Sequence, residues 1–295
     1  MNKTPRPLDP QRDLPAVAAL LGRARANGGL LHPGGIQWWL RELGRPGFEA
    51  HVVDDDGALT GFVLIDDEVA MLESTEPRQG SLDLTDWTTH YMRSSGRESI
   101  GAPVVESNPR QRELEARGFN QVGTELELMF DIDGEPPLPE LPPGFTLGSL
   151  LDISDEAFIE MHRAAWSDKR PSPYQRELHE AVKRMPQFRP DLVTIVIARD
   201  GTPAAYCIGW YDETSRTLEI EPLGTHRDFR RLGLARAVVR EVTHRAYENG
   251  AHHVLVWNNP ATNAPAYGLY TGAGMTARRH LAELALDLRN TNVVN

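Results

Sequence analysis

A stretch with five prolines in eleven residues, Gly134 to Gly144, limits what this chain can fold into more than any other feature. Proline fixes φ and lacks a backbone N–H, so a segment this rich in it forms neither a helix nor a central strand. We interpret residues 135–144 as a stiff linker between two domains, 1–134 and 145–295. The length of 295 residues suits two domains of ordinary size.

Charge is unevenly divided between these halves. Residues 1–140 contain 13 Lys and Arg against 24 Asp and Glu, whereas residues 141–295 contain 18 of each. Because phosphate backbones bind basic surfaces, this balance argues against nucleic acid as a partner. The acidic half could attract a cationic substrate or partner, although solubility is the simpler explanation.

The composition is that of a soluble globular protein, and no run approaches the roughly 18–20 apolar residues that span a bilayer. Residues 1–7 lack the apolar core of a secretory signal. Cys207 is the only cysteine, which excludes an intrachain disulfide and argues against a cysteine-based zinc site. His252 and His253 begin a strand and point to opposite faces, so we expect no metal there. We expect a cytoplasmic protein, a monomer or homodimer, with no membrane partner.

The sequence pattern of residues 145–295 predicts, in chain order, a strand, two helices, three strands, a helix, a strand, a helix and a strand. The signals include a β-prone run at 192–198 and the hairpin dipeptide Asp200-Gly201. Helical periodicity over 231–249 ends at Gly250. The first half weakly repeats this order of elements, which indicates an internal duplication.

A glycine-containing turn between a predicted strand and a predicted helix carries the clearest chemical signal. Its sequence is Arg230-Arg231-Leu232-Gly233-Leu234-Ala235. N–H groups at a helix start lack intrahelical partners and lie at the positive end of the dipole, so they bind phosphate. Gly233 and Ala235 let a pyrophosphate approach the main chain. Four arginines add charge and can contact phosphate through two N–H groups: Arg227, Arg230, Arg231 and Arg236.

The turn resembles the acyl-CoA motif of the GNAT superfamily of acyl-CoA N-acyltransferases. That motif is Arg/Gln-x-x-Gly-x-Gly/Ala, and Arg230, Gly233 and Ala235 fill it. Further family elements follow in order. Asn258 ends the next strand, the helix from Asn263 to Tyr270 fits Asn-x-x-Ala-x-x-Leu-Tyr, and Gly274-Met275 stands where the family has Gly-Phe. The resemblance extends over residues 145–288. It implies an α/β (α+β) fold of two tandem GNAT-like domains, each a mixed, mostly antiparallel sheet flanked by helices.

The resemblance also implies a cofactor site for acetyl-CoA, used as a co-substrate without a metal. In the family, the pantetheine arm lies where the fourth strand splays from the fifth. The matching positions here are Leu223, Gly224 and Thr225. The predicted site further includes Arg230, Arg231, Leu232, Gly233, Leu234, Ala235, Arg236, Asn258 and Asn263.

The implied reaction is direct transfer of an acetyl group to a primary amine of a small molecule or peptide. The resemblance assigns Tyr270 as the general acid that protonates the CoA thiolate. An ordinary tyrosine pKa of about 10 keeps it protonated at neutral pH. Two alternatives remain open: a CoA-binding sensor or scaffold without catalysis, and an acyltransferase that uses a different acyl donor.

The general base is left open between Glu219 and Glu221. These residues lie two apart on a predicted strand, so a regular strand directs both side chains to one face. Either could take the proton of the amine through a water molecule. Alternatively, both form an acidic patch that orients a cationic substrate without proton transfer. The position of Glu219 is that of a base in some family members, and Glu221 lies closer to the acyl end.

The first half lacks both functional features. Its equivalent turn, 76–81, does not contain the motif, and Glu76 and Pro77 work against pyrophosphate binding. In the second half, Tyr270 lies four residues before Gly274. The residue four positions before Gly118 in the first half is Leu114, so that half also lacks the acid. We interpret this half as a degenerate GNAT-like copy that shapes the active site or stabilises the second domain.

Four other residues favour structural interpretations. Trp38 and Trp39 are adjacent on a predicted helix, and we expect both to cover the core, although the angle of about 100° between neighbours allows one to be exposed. We expect His226 to cap the loop before the turn rather than to contact phosphate. Cys207 lies in an apolar strand and is expected to be buried as a small hydrophobe.

Overall fold

The computed structural model describes residues 4–74 and 84–289. The helices in these residues are α1 (Pro10–Ala26), α2 (Pro33–Leu40), α3 (Leu84–Ser94), α4 (Pro109–Ala116), α5 (Asp155–Trp166), α6 (Arg176–Lys183), α7 (Leu234–Glu248) and α8 (Ala264–Gly272). The strands are β1 (Arg6–Pro7), β2 (Phe48–Asp55), β3 (Ala58–Asp66), β4 (Val69–Ser74), β5 (Ser99–Val105), β6 (Asn120–Asp131), β7 (Phe145–Ser149), β8 (Val193–Ala198), β9 (Pro203–Asp212), β10 (Thr217–Thr225), β11 (His253–Asn258) and β12 (Thr276–Asp287).

Contacts between Cα atoms divide the chain into two compact units, and neither is a continuous stretch of sequence. Among the described residues, the first unit contains 4–33, 42–74, 84–126 and 279–289, and the second contains 34–41 and 127–278. The helix α2 is therefore grouped with the C-terminal part of the chain. The division into domains 1–134 and 145–295 around a linker stays a prediction about how the chain is organised.

The first unit is a mixed sheet covered by helices. Neighbouring strands pair in the antiparallel sense from β1 to β4 and between β5 and β12, and β4 and β5 are parallel. Its core joins α3 and α4 to the sheet through Met92, Leu114 and Phe119, which pack against Val63 and Ile100. Apolar side chains on one face of each helix produce this packing.

The second unit contains the strands β7, β8, β9 and β10 as consecutive antiparallel neighbours, followed by β11 parallel to β10. The helix α7 covers one face, because a Cβ atom added at Gly209 of β9 would lie 2.8 Å from Val242. The helix α5 covers the other face, because a Cβ atom at Gly224 of β10 would lie 3.0 Å from Ala165. Both units thus confirm the predicted fold class, a mixed and mostly antiparallel sheet flanked by helices.

The helix α2 packs inside the second unit. The indole of Trp38 is 4% exposed and lies 5.9 Å from the rings of both His162 and Tyr174. Its neighbour Trp39 is 37% exposed, so the expectation that both tryptophans cover the core was wrong for Trp39. The rotation of about 100° between adjacent helical residues accounts for the difference.

The helix α7 begins three residues later than the sequence periodicity predicts. Arg231 and Gly233 have φ values of 65° and 80°, which a right-handed helix does not accommodate. Residues 231–233 therefore belong to the turn, and the first helical residue is Leu234. In the part of the chain that the structure describes, no helix combines the length and apolarity that crossing a membrane requires.

Candidate active site

The strand β10 changes register near its middle. Ile220 pairs with Gly209 and Leu223 pairs with Cys207, so Glu221 and Pro222 form a bulge. The side chain of Trp210 supports this bulge, since its Nε1 donates to the carbonyl oxygen of Glu221 at 2.6 Å. A bulge directs side chains away from the regular alternation of a strand. The assumption that Glu219 and Glu221 share a face therefore does not apply across it.

The parallel pairing between β10 and β11 covers only part of β10. It runs from the Thr217–His253 pair to the Glu219–Leu255 pair, whereas β10 continues to Thr225. Among the described residues, the later part of β10 is paired with β9 alone. Its other edge can form backbone hydrogen bonds with an extended ligand.

The turn between β10 and α7 has a backbone conformation that glycine favours. Gly233 is the N-cap of α7 with φ of 80°, and a Cβ atom added there would meet nothing within 4 Å. Backbone conformation, not lack of space, is therefore what requires glycine at this position. The turn directs the first N–H groups of α7 outwards, where the helix dipole favours negative charge.

A cavity of about 370 Å³ lies at this end of α7. The turn and the start of α7 contribute Thr225, Phe229, Arg230, Arg231, Gly233, Leu234, Ala235 and Arg236. The helix α8 contributes Pro265, Gly268, Leu269 and Gly272. The spacing of the α8 residues is that of one helical face, and two of them are glycines that leave room for a ligand.

Tyr270 lies on α8 and is 7% exposed. Burial raises the pKa of its hydroxyl above the ordinary value, and the charge of Glu221 raises it further. The hydroxyl of Tyr270 is therefore protonated at physiological pH. The charge of Glu221 also raises the pKa of the fully buried Tyr206, so the bulge of β10 lies near both phenols.

The two glutamates have different surroundings. Glu219 is 7% exposed, and a Cβ atom added at Gly35 of α2 would lie 2.0 Å from its Oε2. Its carboxylate thus packs directly against the first turn of α2. Glu221 lies in the bulge and is half-buried. Of the two, Glu221 is the more accessible to a substrate.

Asn258 ends β11 with a side chain that is 4% exposed. Its Nδ2 donates to the carbonyl oxygen of Asn263 at 3.4 Å, while its Oδ1 is buried without a hydrogen-bond partner among the described residues. A buried acceptor left in this state costs about 1–3 kcal/mol, so it suits an N–H donor from a ligand. Asn263 itself caps α8, since its Oδ1 accepts from the N–H of Ala266 at 3.4 Å.

Comparison with known proteins indicates the protein family of this part of the chain. Residues 156–275 match the family model described as the acetyltransferase (GNAT) family. This part of the chain belongs to the GNAT family. Membership indicates an acyltransferase that takes its acyl group from acyl-CoA. Comparison with curated protein sequences gives no significant match.

Solved structures with the GNAT fold align over nearly the whole chain. A GCN5-related N-acetyltransferase from Sphaerobacter thermophilus is 21% identical with a TM-score of 0.59, covering 97% of this chain and 96% of its own. A tandem GNAT protein from the clavulanic acid biosynthesis pathway is 16% identical with a TM-score of 0.63, covering 98% and 99%. An acetyltransferase of the GNAT family from Colwellia psychrerythraea is 14% identical with a TM-score of 0.58, covering 95% and 99%. These similarities show the fold, and the tandem protein supports a two-domain architecture.

Seven of the twelve residues predicted to bind the GNAT cofactor line the cavity: Thr225, Arg230, Arg231, Gly233, Leu234, Ala235 and Arg236. Leu223 and Gly224 precede them on β10, and Leu232 is 46% exposed at the tip of the turn. The predicted set did not include the lining residues of α8. The small residues Gly268 and Gly272, four apart in the sequence, were the signal for that face.

Arg230 of the GNAT motif is held by protein groups. Its Nη1 donates to Asp168 at 2.6 Å, and its Nη2 and Nε donate to the carbonyl oxygens of Ala165 and Thr225 at 2.9 and 3.3 Å. The hydrogen bond from Arg230 lowers the pKa of the Asp168 carboxyl. Arg230 therefore connects the end of α5 to the turn and shares its charge with Asp168.

Aromatic rings from four segments form a group on the α5 side of the sheet: Trp38, His162, Trp166, Tyr174 and Tyr206. The ring of His162 stacks on Tyr174 with centroids 3.9 Å apart, and Trp166 Nε1 donates to the Tyr206 hydroxyl at 3.0 Å. Burial lowers the pKa of His162 to about 3, so its imidazole is neutral at physiological pH. The sequence did not single out this aromatic group, because it assembles residues that are far apart in the chain.

Two structural predictions, the cap at His226 and the burial of Cys207, are confirmed. His226 caps the short helical turn that follows it, since its Nδ1 accepts from the N–H of Asp228 at 3.2 Å. Cys207 is fully buried, and burial raises the pKa of its thiol to about 12, which makes it a poor nucleophile. His252 and His253 have separate partners, Arg216 and Asp131. The described residues contain no group of three or more His, Cys, Asp and Glu that could hold a metal.

In the first unit, the position that corresponds to Tyr270 is apolar. Leu114 of α4 is 1% exposed and belongs to the core of that unit together with Phe119. The turn at 76–81, predicted to lack the cofactor motif, lies outside the described residues. A degenerate copy in this half stays an interpretation of the sequence.

Proposed function

We propose that the chain is an N-acetyltransferase that moves an acetyl group from acetyl-CoA to a primary amine by direct attack in a ternary complex. The observation that carries the proposal is a pair of features in the second unit. One is the glycine turn with its arginines at the start of α7, and the other is the buried, protonated Tyr270 beside the charge of Glu221. Membership in the GNAT family supports the coarser statement of acyl transfer from acyl-CoA.

The cofactor would bind along β10 towards the bulge. Its pyrophosphate would accept hydrogen bonds from N–H groups of 233–236, with charge from Arg231 and Arg236 at the cavity. The pantetheine arm would pair with the free edge of β10 at Leu223, Gly224 and Thr225. The buried Oδ1 of Asn258 would accept from one of its amide N–H groups.

The transfer needs one proton acceptor and one proton donor. The neutral nitrogen of the amine attacks the thioester carbonyl, and Glu221 or Glu219 takes the proton that this nitrogen loses as the amide forms, directly or through a water molecule. Backbone N–H groups of β10 stabilise the developing oxyanion. When the C–S bond breaks, the Tyr270 hydroxyl donates its proton to the sulfur, leaving an amide and CoA with a free thiol.

The acceptor is proposed to be a small-molecule amine or a peptide amine, and the enzyme a cytoplasmic monomer or homodimer. No role is proposed for a metal, nucleic acid or membrane. The first unit would be a degenerate GNAT-like copy without a cofactor site of its own, since Leu114 cannot donate a proton. One acetyl-CoA should therefore bind per chain.

Isothermal titration with acetyl-CoA tests the cofactor site, and release of free thiol with a panel of primary amines tests the transfer. We expect one binding site and turnover with at least one amine. The lack of binding at millimolar acetyl-CoA would contradict the proposal. Binding without turnover by any amine would favour a CoA sensor or scaffold, and turnover only with longer acyl-CoA would favour a different donor.

Two arginines at the cavity should respond differently to removal of their charge. Arg230→Gln breaks three hydrogen bonds to α5 and the turn, so it should raise the Kd for acetyl-CoA about 10-fold and lower Tm by about 3 °C. Arg236→Gln should raise the Kd by about 3-fold at low salt, through charge alone, with an unchanged Tm. Titration calorimetry at two ionic strengths and thermal unfolding measure both. Equal changes in Tm for the two variants would contradict the structural role of Arg230.

The dependence of turnover on pH follows from the raised pKa of Tyr270. A general acid works only while protonated, and burial shifts deprotonation of this phenol above its ordinary pKa of about 10. We therefore expect kcat to show no alkaline decrease up to about pH 9.5. A decrease centred near pH 8 in kcat, with the protein still folded, would contradict Tyr270 as the donor.

A further inference from the structure

The helix α2 is built into the second unit although it comes from the N-terminal part of the sequence. Two reciprocal hydrogen bonds hold it there. Gln37 Nε2 donates to Gln187 Oε1 at 3.0 Å, and the N–H of Gln187 donates to Gln37 Oε1 at 3.0 Å. Trp38 adds ring contacts with His162 and Tyr174. The helix is thus fixed against the α5 side of the sheet, which the aromatic group also covers.

The first turn of α2 lies directly on a carboxylate of β10. A Cβ atom added at Gly35 would come within 2.0 Å of Glu219 Oε2, 2.6 Å of its Cδ and 2.9 Å of its Oε1. All three carboxylate atoms therefore face the Cα atom of Gly35. Gly35 is not among the residues with positive φ, so a larger residue here would be opposed by the nearby carboxylate of Glu219 and not by backbone conformation.

The location of Glu219 suits an anchor better than a base. A carboxylate at the first turn of a helix is stabilised by the positive end of the helix dipole. Glu219 is also 7% exposed and packs against the first turn of α2, which leaves its carboxylate little surface for an amine to contact. Glu221, by contrast, is half-buried in the bulge, and its charge acts on the hydroxyl of Tyr270.

We propose that Glu219 is a positioning residue whose carboxylate anchors α2 against β10, and that Glu221 is the group that takes the proton of the amine. The role of Glu221 rests on the proposed acetyl transfer, whereas the anchoring role of Glu219 does not. The N-terminal sequence thereby contributes a structural part of the catalytic unit, and the two glutamates that the sequence left equivalent acquire different tasks.

A double-mutant cycle on thermal unfolding of the full-length protein tests the anchor. Gly35→Ala should lower Tm by about 5 °C, because the new methyl group displaces the buried carboxylate of Glu219 from its place against α2. In the Glu219→Ala background, Gly35→Ala should lower Tm by less than about half as much, since the carboxylate that the methyl group would meet is gone. The control is Gly134→Ala, where an added Cβ atom meets nothing within 4 Å. If the Tm decreases of Gly35→Ala and Glu219→Ala simply add in the double variant, Glu219 does not anchor α2.

Measurements of kcat and its dependence on pH distinguish the roles of Glu219 and Glu221. With an amine that the enzyme turns over, Glu221→Gln should lower kcat by about 10²-fold at unchanged Tm and remove the acidic limb of the pH profile. Glu219→Gln should lower Tm, keep the acidic limb and reduce kcat less than Glu221→Gln does. If Glu219→Gln removes the acidic limb of the pH profile at an unchanged Tm, Glu219 and not Glu221 takes the proton, and the two assignments are wrong. If no amine is turned over, the role of Glu221 fails together with the proposed function, while the cycle still decides whether Glu219 is an anchor.

Discussion

Tyr270→Phe is expected to lower kcat by about 10²-fold or more while the Kd for acetyl-CoA stays within about 2-fold of the wild type. The substitution removes one hydroxyl from a side chain that is 7% exposed and keeps the ring that packs there. Without that proton donor, the sulfur leaves as an unprotonated thiolate, which raises the barrier for breaking the C–S bond. Steady-state turnover and titration calorimetry measure the two quantities separately.

The control for this variant lies on the same helix. Tyr267→Phe also removes a phenol hydroxyl from α8, one turn earlier and at a partly exposed position. We expect it to leave kcat within about 2-fold of the wild type, since surface hydroxyls contribute little. Equal turnover by Tyr270→Phe and the wild type would remove the general acid from the mechanism. Equal losses in both variants would indicate a general disturbance of α8.

Gly233→Ala is expected to raise the Kd for acetyl-CoA by about 10-fold, equivalent to about 1.4 kcal/mol. Gly233 has φ of 80°, and a residue with a Cβ atom pays roughly 1–2 kcal/mol to adopt that conformation. The turn relaxes towards ordinary dihedral angles, and the N–H groups at the start of α7 then point away from the cavity. Calorimetric titration measures the loss of affinity.

The opposite end of α7 offers a matched control. Gly250 has φ of 78°, and a Cβ atom added there also meets nothing within 4 Å. Gly250→Ala should therefore lower Tm by about as much as Gly233→Ala, roughly 3 °C. Only Gly233→Ala should weaken the cofactor. A similar Kd for both variants would contradict a phosphate site at the start of α7.

The parts of the site that the sequence predicted are those whose requirements lie within a few consecutive residues. The turn at Arg230–Ala235 needs one glycine with positive φ and the start of a helix, and a motif of six consecutive residues indicates both. The position of Tyr270 on α8 follows from a similarly local pattern. The face of α8 that lines the cavity was not predicted, although the spacing of Gly268 and Gly272 is a local signal for it.

The parts that the sequence did not predict depend on contacts between distant residues. The packing of Gly35 on Glu219 joins a helix near the N-terminus to a strand far along the chain, and no local pattern encodes it. The bulge at Glu221 and Pro222 interrupts the two-residue alternation that made the two glutamates look equivalent. The exposure of Trp39 likewise depends on which face of α2 meets the second unit.

One chain is expected to bind acetyl-CoA and to transfer its acetyl group to an amine. Mass spectrometry of reaction mixtures with isotope-labelled acetyl-CoA and a panel of primary amines follows both reactants and both products in one experiment. We predict that the label appears in an N-acetylated amine in step with free CoA, and that Tyr270→Phe slows both together. Label that stays in acetyl-CoA with every amine, while the protein binds the cofactor, would contradict the claim.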